Sequence, residues 1–211
     1  MCNTYTDFDF HNYQEINMTK RISIIALIAM LMASAPAIAK EKTIGGKPGN
    51  ATIAQIVSDA ANPEPTEENP EPVGEFTVLL SLLEETGLDA VLAGPGPFTV
   101  FAPTDEAFAP ILELLATLPE PLTEAQKTNV LLYHVTDGRR FSNSVVNRNN
   151  YKAIDMLNGG VVMSTPDSIL IDTSNLNDGL EALIIGENLK ASNGVIHVID
   201  EVLVPSNLLA D

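Results

Sequence analysis

The 211-residue chain is predicted to fold as a single α+β domain, and three observations support this class. Apolar residues recur at helical spacing through the first half of the region that follows residue 50. From Arg139 onward, short apolar runs alternate with turn signals, a pattern that is typical of strands joined by tight turns. One β-branched and aromatic run, 97–103, lies inside the helical half, so we expect it to pair with the later strands.

A secretory signal peptide is predicted at residues 18–39. Lys20 and Arg21 precede an apolar run at 22–32, and Ala37-Ile38-Ala39 follows it. A basic start, a short apolar centre and a small-x-small end are typical of a cleaved leader of bacterial type. Because the apolar run is too short for a comfortable membrane span, we expect cleavage after Ala39 and a secreted or periplasmic protein without a stable span. A retained N-terminal anchor is the alternative.

The residues on either side of this leader are predicted to lie outside the fold. Residues 1–17 carry acidic side chains where a leader should be basic, so we expect translation to begin at Met18 and the first 17 residues to be a mistaken extension. Their loss would remove Cys2, the one cysteine of the chain, so no disulfide or thiol nucleophile is expected. Residues 40–50 are polar and glycine-rich and indicate a flexible lead-in, which leaves 51–208 as the domain.

The helical half is predicted to begin with a helix at 51–61, where apolar side chains recur at helical spacing. An acidic loop at 62–72 follows, because four prolines and four glutamates in eleven residues disfavour both helix and strand. We expect this loop to be a solvated insertion, with a cation or partner site as the alternative. The next helix is predicted at 75–87 and ends at Gly87, and a short one follows at 88–94.

Two capped helices are predicted after the internal strand. Thr104 is expected to cap a helix that begins at Asp105. Its apolar side comprises Phe108, Ile111, Leu112 and Leu115. Thr123 and Gln126 form a capping box, which predicts a helix over 123–135.

The later strands are predicted at 161–164, 168–172, 181–186 and within 192–205. In the last of these, His197 lies among Val195, Ile196, Val198 and Ile199, so the strand is apolar on both faces and is expected to be central. A buried imidazole needs a hydrogen-bonding partner. The predicted partner is Asp105, or a backbone carbonyl near the strand at 97–103.

Composition and motifs argue against several classes of function. The formal net charge of −17 disfavours binding to nucleic acid or to an anionic membrane surface. The chain has no phosphate loop, zinc pattern or nucleophile elbow, and residues 172–179 lack the glycine and the glutamate of a calcium loop. His134, like His197, lies in an apolar run, which indicates a neutral, buried ring. We therefore expect no catalytic residue, no metal and no cofactor.

Three segments resemble the hallmark segments of the fasciclin domain family: GPFTVFAPTDEAF at 96–108, LLYHV at 131–135 and ASNGVIHVIDEVLVP at 191–205. The resemblance implies a β-sandwich or wedge of about seven strands with helices packed on one side. It also implies extracellular or periplasmic adhesion and protein interaction without catalysis. The residues that it marks as structural are Thr104, Asp105, Asn193, Gly194 and His197.

The resemblance also marks a weak candidate for partner binding. Tyr133 and His134 match a Tyr-His pair that is implicated in integrin binding in some animal members, together with an Asp-Ile pair. Here Asn188 and Leu189 occupy the Asp-Ile position, so the carboxylate is missing.

These observations together predict a secreted, non-catalytic adhesion or matrix-interaction module, whose partners are other proteins or surface polysaccharide. The alternative is an extracytoplasmic carrier of a small apolar ligand or lipid, bound in a cleft between sheet and helices. A hydrolase is a third hypothesis, but no spacing of nucleophile and base in the sequence supports it.

Overall fold

The computed structural model describes residues 50–64, 74–117, 119–147, 149–172, 181–205 and 208. The predicted extension at 1–17, the signal peptide at 18–39 and most of the acidic loop at 62–72 therefore lie outside the described residues. No helix within these described ranges is long and apolar enough to cross a membrane.

The described residues form six helices and seven strands. The helices are α1 Ile53–Ala61, α2 Thr77–Thr86, α3 Leu88–Ala93, α4 Asp105–Leu115, α5 Glu124–Leu132 and α6 Ser142–Val145. The strands are β1 Phe98–Pro103, β2 Val135–Asp137, β3 Lys152–Asp155, β4 Val161–Ser164, β5 Ile169–Asp172, β6 Glu181–Ala191 and β7 Gly194–Ile199.

All seven strands join one mixed sheet in the order β2-β1-β7-β6-β5-β4-β3. Strands β1 and β7 are parallel, and the other neighbours are antiparallel. The prediction that the internal strand pairs with the later ones is therefore confirmed. All six residues of β7 are buried, which agrees with its predicted central position.

Strand β6 connects two halves of the sheet. Its first residues, from Glu181 to Leu183, pair with β5, while Ile184 to Ala191 pair with β7. The register between β6 and β7 shifts on both sides of Gly186. Such irregularities increase strand twist and let a sheet turn a corner, so the sheet curves back on itself.

Two apolar cores follow from this shape. The first lies between the helices and the sheet and contains side chains of α1 to α5, β1 and β7. The second contains side chains of six strands and α6, among them Phe101, Ile154, Val162, Leu170 and Ile199. Strands as distant in the sheet as β1 and β3 share this second core because the sheet is curved.

Several local predictions are confirmed. Thr104 accepts a hydrogen bond from the Ala107 backbone, and Thr123 and Gln126 form the expected capping box. Gly87 ends α2 in the left-handed conformation, with φ of 69°. The predicted α+β class with about seven strands and helices packed alongside is also confirmed.

Three differences concern short elements. The helix predicted over 123–135 ends at Leu132, because Val135 pairs with Val100 and begins β2. Strands β2 and β3 and helix α6 are only three or four residues long and were not predicted. Strand β6 continues to Ala191, beyond its predicted end at residue 186.

Candidate functional site

His134 follows α5 and is only 3% exposed. Its Nδ1 lies 2.8 Å from the Val130 carbonyl oxygen, and its Nε2 accepts a hydrogen bond from the Leu203 N–H at 2.9 Å. Because a carbonyl only accepts, Nδ1 carries the proton. Burial lowers the pKa of this imidazole to about 4, and the hydrogen bond to Val130 opposes that shift only in part. The ring is therefore neutral at physiological pH, with both nitrogens bonded to the backbone.

His197 is fully buried in β7 and has the opposite tautomer. Its Nε2 donates to the Arg140 carbonyl oxygen at 2.9 Å, and its Nδ1 accepts a long hydrogen bond, 3.5 Å, from the Asn188 N–H. The ring stacks on Phe101 with 5.7 Å between centroids. Burial lowers the pKa of His197, against the opposing effects of the bond to Arg140 and the charge of Glu187. Both predicted buried imidazoles are thus interior groups with backbone partners.

The prediction that Asp105 is the partner of His197 is wrong. The Asp105 carboxylate instead accepts hydrogen bonds from Thr77 N–H at 3.1 Å, Thr77 Oγ1 at 2.8 Å and Val78 N–H at 3.0 Å. The reason is that the N-cap residue of α2 is Phe76, whose side chain provides no cap, so the first N–H groups of the helix need another acceptor. The other predicted partner, a carbonyl near β1, agrees with the structure, because the Arg140 N–H donates to Thr99 of β1.

Asp105 therefore caps a helix that begins 28 residues earlier in the chain, and its removal should destabilise the fold. We expect Asp105→Ala to lower the free energy of unfolding by about 0.5–2 kcal/mol, since the first N–H groups of α2 lose the acceptor that caps them. Urea unfolding followed by circular dichroism measures this. Glu106→Ala is the matched control, because Glu106 is exposed in the same helical turn. Equal losses in the two variants would contradict the capping role.

The Asn193 side chain connects the turn between β6 and β7 to the start of α1 and the end of α3. Its Oδ1 accepts from the Ile53 N–H at the start of α1, at 2.9 Å. Its Nδ2 donates to the carbonyl oxygens of Leu92 at 2.6 Å and Gly94 at 2.8 Å, at the end of α3. Gly194 is equally constrained, because a Cβ there would lie 2.2 Å from a backbone oxygen of β1. These two predicted structural residues hold helices against the turn between β6 and β7.

The four predicted partner-binding residues lie in different environments. Tyr133 is fully buried, and its hydroxyl donates to the Val161 carbonyl oxygen at 3.2 Å. Asn188 is half-buried in a left-handed conformation, and its amide exchanges two hydrogen bonds with Ser142. Leu189 pairs with Ile196 across the sheet. Because the rings of Tyr133 and His134 are buried, a partner would contact their neighbours instead. Binding through these four residues stays a prediction.

The described residues hold no group of three or more histidine, cysteine, aspartate or glutamate side chains that could bind a metal ion. Most of the calcium-loop-like segment, residues 173–179, lies outside them.

An apolar cleft of about 430 Å³ lies among α2, α4, α5 and the segment after β7. Its lining includes Leu82, Phe108, Ile111, Leu112, Val130 and Val202. Lys127 carries the only charge among the described residues that line it, and its ammonium donates to the Glu85 carboxylate at 2.6 Å. The sequence predicts the apolar side of α4 but not that the fold leaves it partly uncovered.

A second apolar surface, which we call the outer sheet face, lies on β5 and β6 opposite the second core. Leu183 and Ile185 are 39% and 55% exposed there, while their neighbours Ala182 and Ile184 point into the core. Ile169 pairs with Leu183 and is half-buried on the same face. The sequence of β6 carries a signal for this face, because its apolar residues occupy both sides of the strand instead of one.

The family model described as "Fasciclin domain" matches residues 74–205. Protein sll1483 of Synechocystis is 33% identical over 135 residues, which cover 62% of this chain and 67% of that protein. Synechocystis protein sll1735 is 35% identical over 131 residues, which cover 61% of this chain and 89% of that protein. Human periostin is 30% identical over 146 residues, but the chain spans only 15% of its length.

Among solved structures, a FAS1 domain pair from the insect cell adhesion molecule fasciclin I matches with a TM-score of 0.54. The match covers 76% of this chain and 53% of that chain at 12% sequence identity. At this identity the likeness concerns the fold alone.

Proposed function

Because the chain belongs to the fasciclin domain family, we propose that it is a secreted, non-catalytic adhesion module that recognises a protein partner through its outer sheet face. Membership of a family whose members include adhesion and interaction modules supports the adhesive role. The buried positions of His134 and His197 support the absence of catalysis, because neither ring has a free nitrogen to act as a base.

The observation that carries the proposal is the exposure of Leu183 and Ile185 on strand β6. Exposed apolar side chains that cluster on one face mark interaction surfaces more often than isolated ones do. An apolar face suits a protein better than a polysaccharide, which is the other predicted partner. The net charge of −17 adds a preference for a basic or cation-bridged partner.

A cross-linked pull-down from the envelope and matrix of the producing cells tests this proposal. We expect the double variant Leu183→Glu/Ile185→Glu to lose a partner that the unchanged protein recovers. Leu114→Glu is the matched control, because Leu114 is 57% exposed on α4, away from the outer sheet face. The recovered partner should be sensitive to protease. Equal recovery by both variants, or a partner removed only by glycosidase, would refute the proposed surface.

The same pull-down also tests whether the acidic loop at 62–72 contributes to partner binding. A variant with this loop shortened should recover the partner unchanged if the loop is a solvated insertion. Loss of the partner would instead support the alternative that the loop contributes to the binding site.

The location that we propose depends on the leader at 18–39. Mass spectrometry of the secreted protein is expected to find Lys40 as the first residue, because cleavage after Ala39 follows the small-x-small pattern. A precursor peptide that covers residues 5–15 would refute a start at Met18.

A further inference from the structure

The apolar cleft has the dimensions of a small-molecule site. Its volume of about 430 Å³ falls within the range of about 300–1,000 Å³ that ligand pockets occupy. Helices α2, α4 and α5 form its walls, so it lies among helices rather than between sheet and helices. It shares no lining residue with the outer sheet face, and any ligand here is independent of the adhesive role proposed above.

The fold leaves the apolar side of α4 partly uncovered at this cleft. Phe108 is buried, whereas Ile111 and Leu115 are half-buried and Leu112 is 48% exposed. All four line the cleft. Apolar side chains at helical spacing normally face a core, so their exposure here indicates a surface that gains stability when an apolar group covers it.

The polar side chains that line the cleft indicate which chemical group the polar end of a ligand has. His134 has both ring nitrogens bonded to the backbone, so it offers a ligand no free hydrogen-bonding atom. The ammonium of Lys127 has three donors, and Glu85 accepts from it through a side chain that is 47% exposed. An exposed ion pair of this kind contributes little, so a second carboxylate can share the ammonium or replace Glu85.

We propose that the cleft binds a long-chain carboxylate, with its hydrocarbon chain against α4 and its carboxylate at Lys127. The ligand is defined by this chemistry alone: one flexible apolar chain and one anionic group. Among the described residues that line the cleft, one ammonium lies beside apolar side chains, an arrangement that is complementary to both parts.

Isothermal titration calorimetry of the full-length protein with dodecanoate, below its micelle concentration, tests the apolar part. We expect saturable binding of one molecule per chain. Affinity should rise about fourfold for each methylene from octanoate to dodecanoate. Leu112→Glu should weaken binding at least about tenfold, because it places a charge in the path of the chain. Leu114→Glu, on the same helix but outside the lining, should leave the Kd within about twofold.

Comparison with dodecan-1-ol tests the position of the carboxylate. Lys127→Met should weaken dodecanoate binding about fivefold, the upper range for an exposed ion pair, and should leave the Kd of the alcohol unchanged. Absence of saturable binding up to about 1 mM, or equal effects of the Leu112 and Leu114 variants, would overturn the site. Equal losses for acid and alcohol in Lys127→Met would overturn the assignment of the carboxylate.

Discussion

Asn193→Asp is expected to lower the free energy of unfolding by about 3–5 kcal/mol, the cost of leaving a buried charge without compensation. The substitution changes almost nothing in shape. It replaces Nδ2, which donates to the carbonyl oxygens of Leu92 at 2.6 Å and Gly94 at 2.8 Å, with an acceptor. Two donated hydrogen bonds then become contacts between oxygen atoms, in a side chain that is 9% exposed. Chemical denaturation at pH 7, followed by circular dichroism, measures the change.

Two further variants separate charge from the loss of hydrogen bonds. Asn193→Ala removes the bonds without adding a charge, so it should cost less than Asn193→Asp, about 1–3 kcal/mol. Asn143→Asp makes the same chemical change at an exposed position of α6, where a shift within about 0.5 kcal/mol is expected. If Asn193→Asp behaves like Asn143→Asp, then Asn193 does not hold α1 and α3 to the β6–β7 turn.

The second large effect is a dependence of stability on pH that comes from His134. The pKa of this imidazole is about 4 in the folded protein and about 6.5 in the unfolded chain. Between these two values the unfolded chain binds a proton that the folded protein does not bind. The contribution of the neutral ring to the free energy of unfolding is therefore complete above pH 6.5, and it is lost as the pH falls from 6.5 to 4. Proton linkage at His134 therefore lowers the free energy of unfolding by about 3 kcal/mol between pH 7 and pH 4.

His134→Leu isolates this effect from the many carboxylates of the chain. The variant leaves the Leu203 N–H without its acceptor, so it should be less stable than the unchanged protein by about 1–3 kcal/mol at pH 7. Because leucine does not titrate, this deficit should shrink by about 3 kcal/mol as the pH falls to 4. Urea unfolding of both proteins across that pH range gives the difference directly. A difference that does not change with pH would show that His134 titrates normally in the folded state.

The sequence predicted those parts of the fold that depend on local chemistry. Thr104 and Thr123 cap their helices as expected, and Gly87 ends α2, because each uses groups within a few residues. Strands β2 and β3 are too short to show an alternating pattern. Val135 was placed in a helix because its pairing with Val100 depends on residues 35 positions away.

The parts of the candidate sites that escaped prediction depend on tertiary packing. Asp105 was recognised as important, yet its partner Thr77 lies 28 residues earlier and carries no sequence signal for this contact. The apolar side of α4 was predicted, but periodicity cannot tell whether a neighbouring element covers Leu112. The burial of both histidines was predictable because their neighbours in the chain are apolar on both faces of the backbone.

The central claim is that His134 and His197 are neutral structural groups, which leaves recognition to the surface. A long-range ¹H–¹⁵N NMR spectrum of protein labelled at histidine tests it most directly, recorded from pH 7 to pH 5. We expect the His134 ring to stay neutral throughout and the His197 ring to titrate below its ordinary midpoint, with the proton of neutral His134 on Nδ1 and that of neutral His197 on Nε2. Titration of either ring with an ordinary midpoint near pH 6.5, or rapid exchange between tautomers, would contradict the claim.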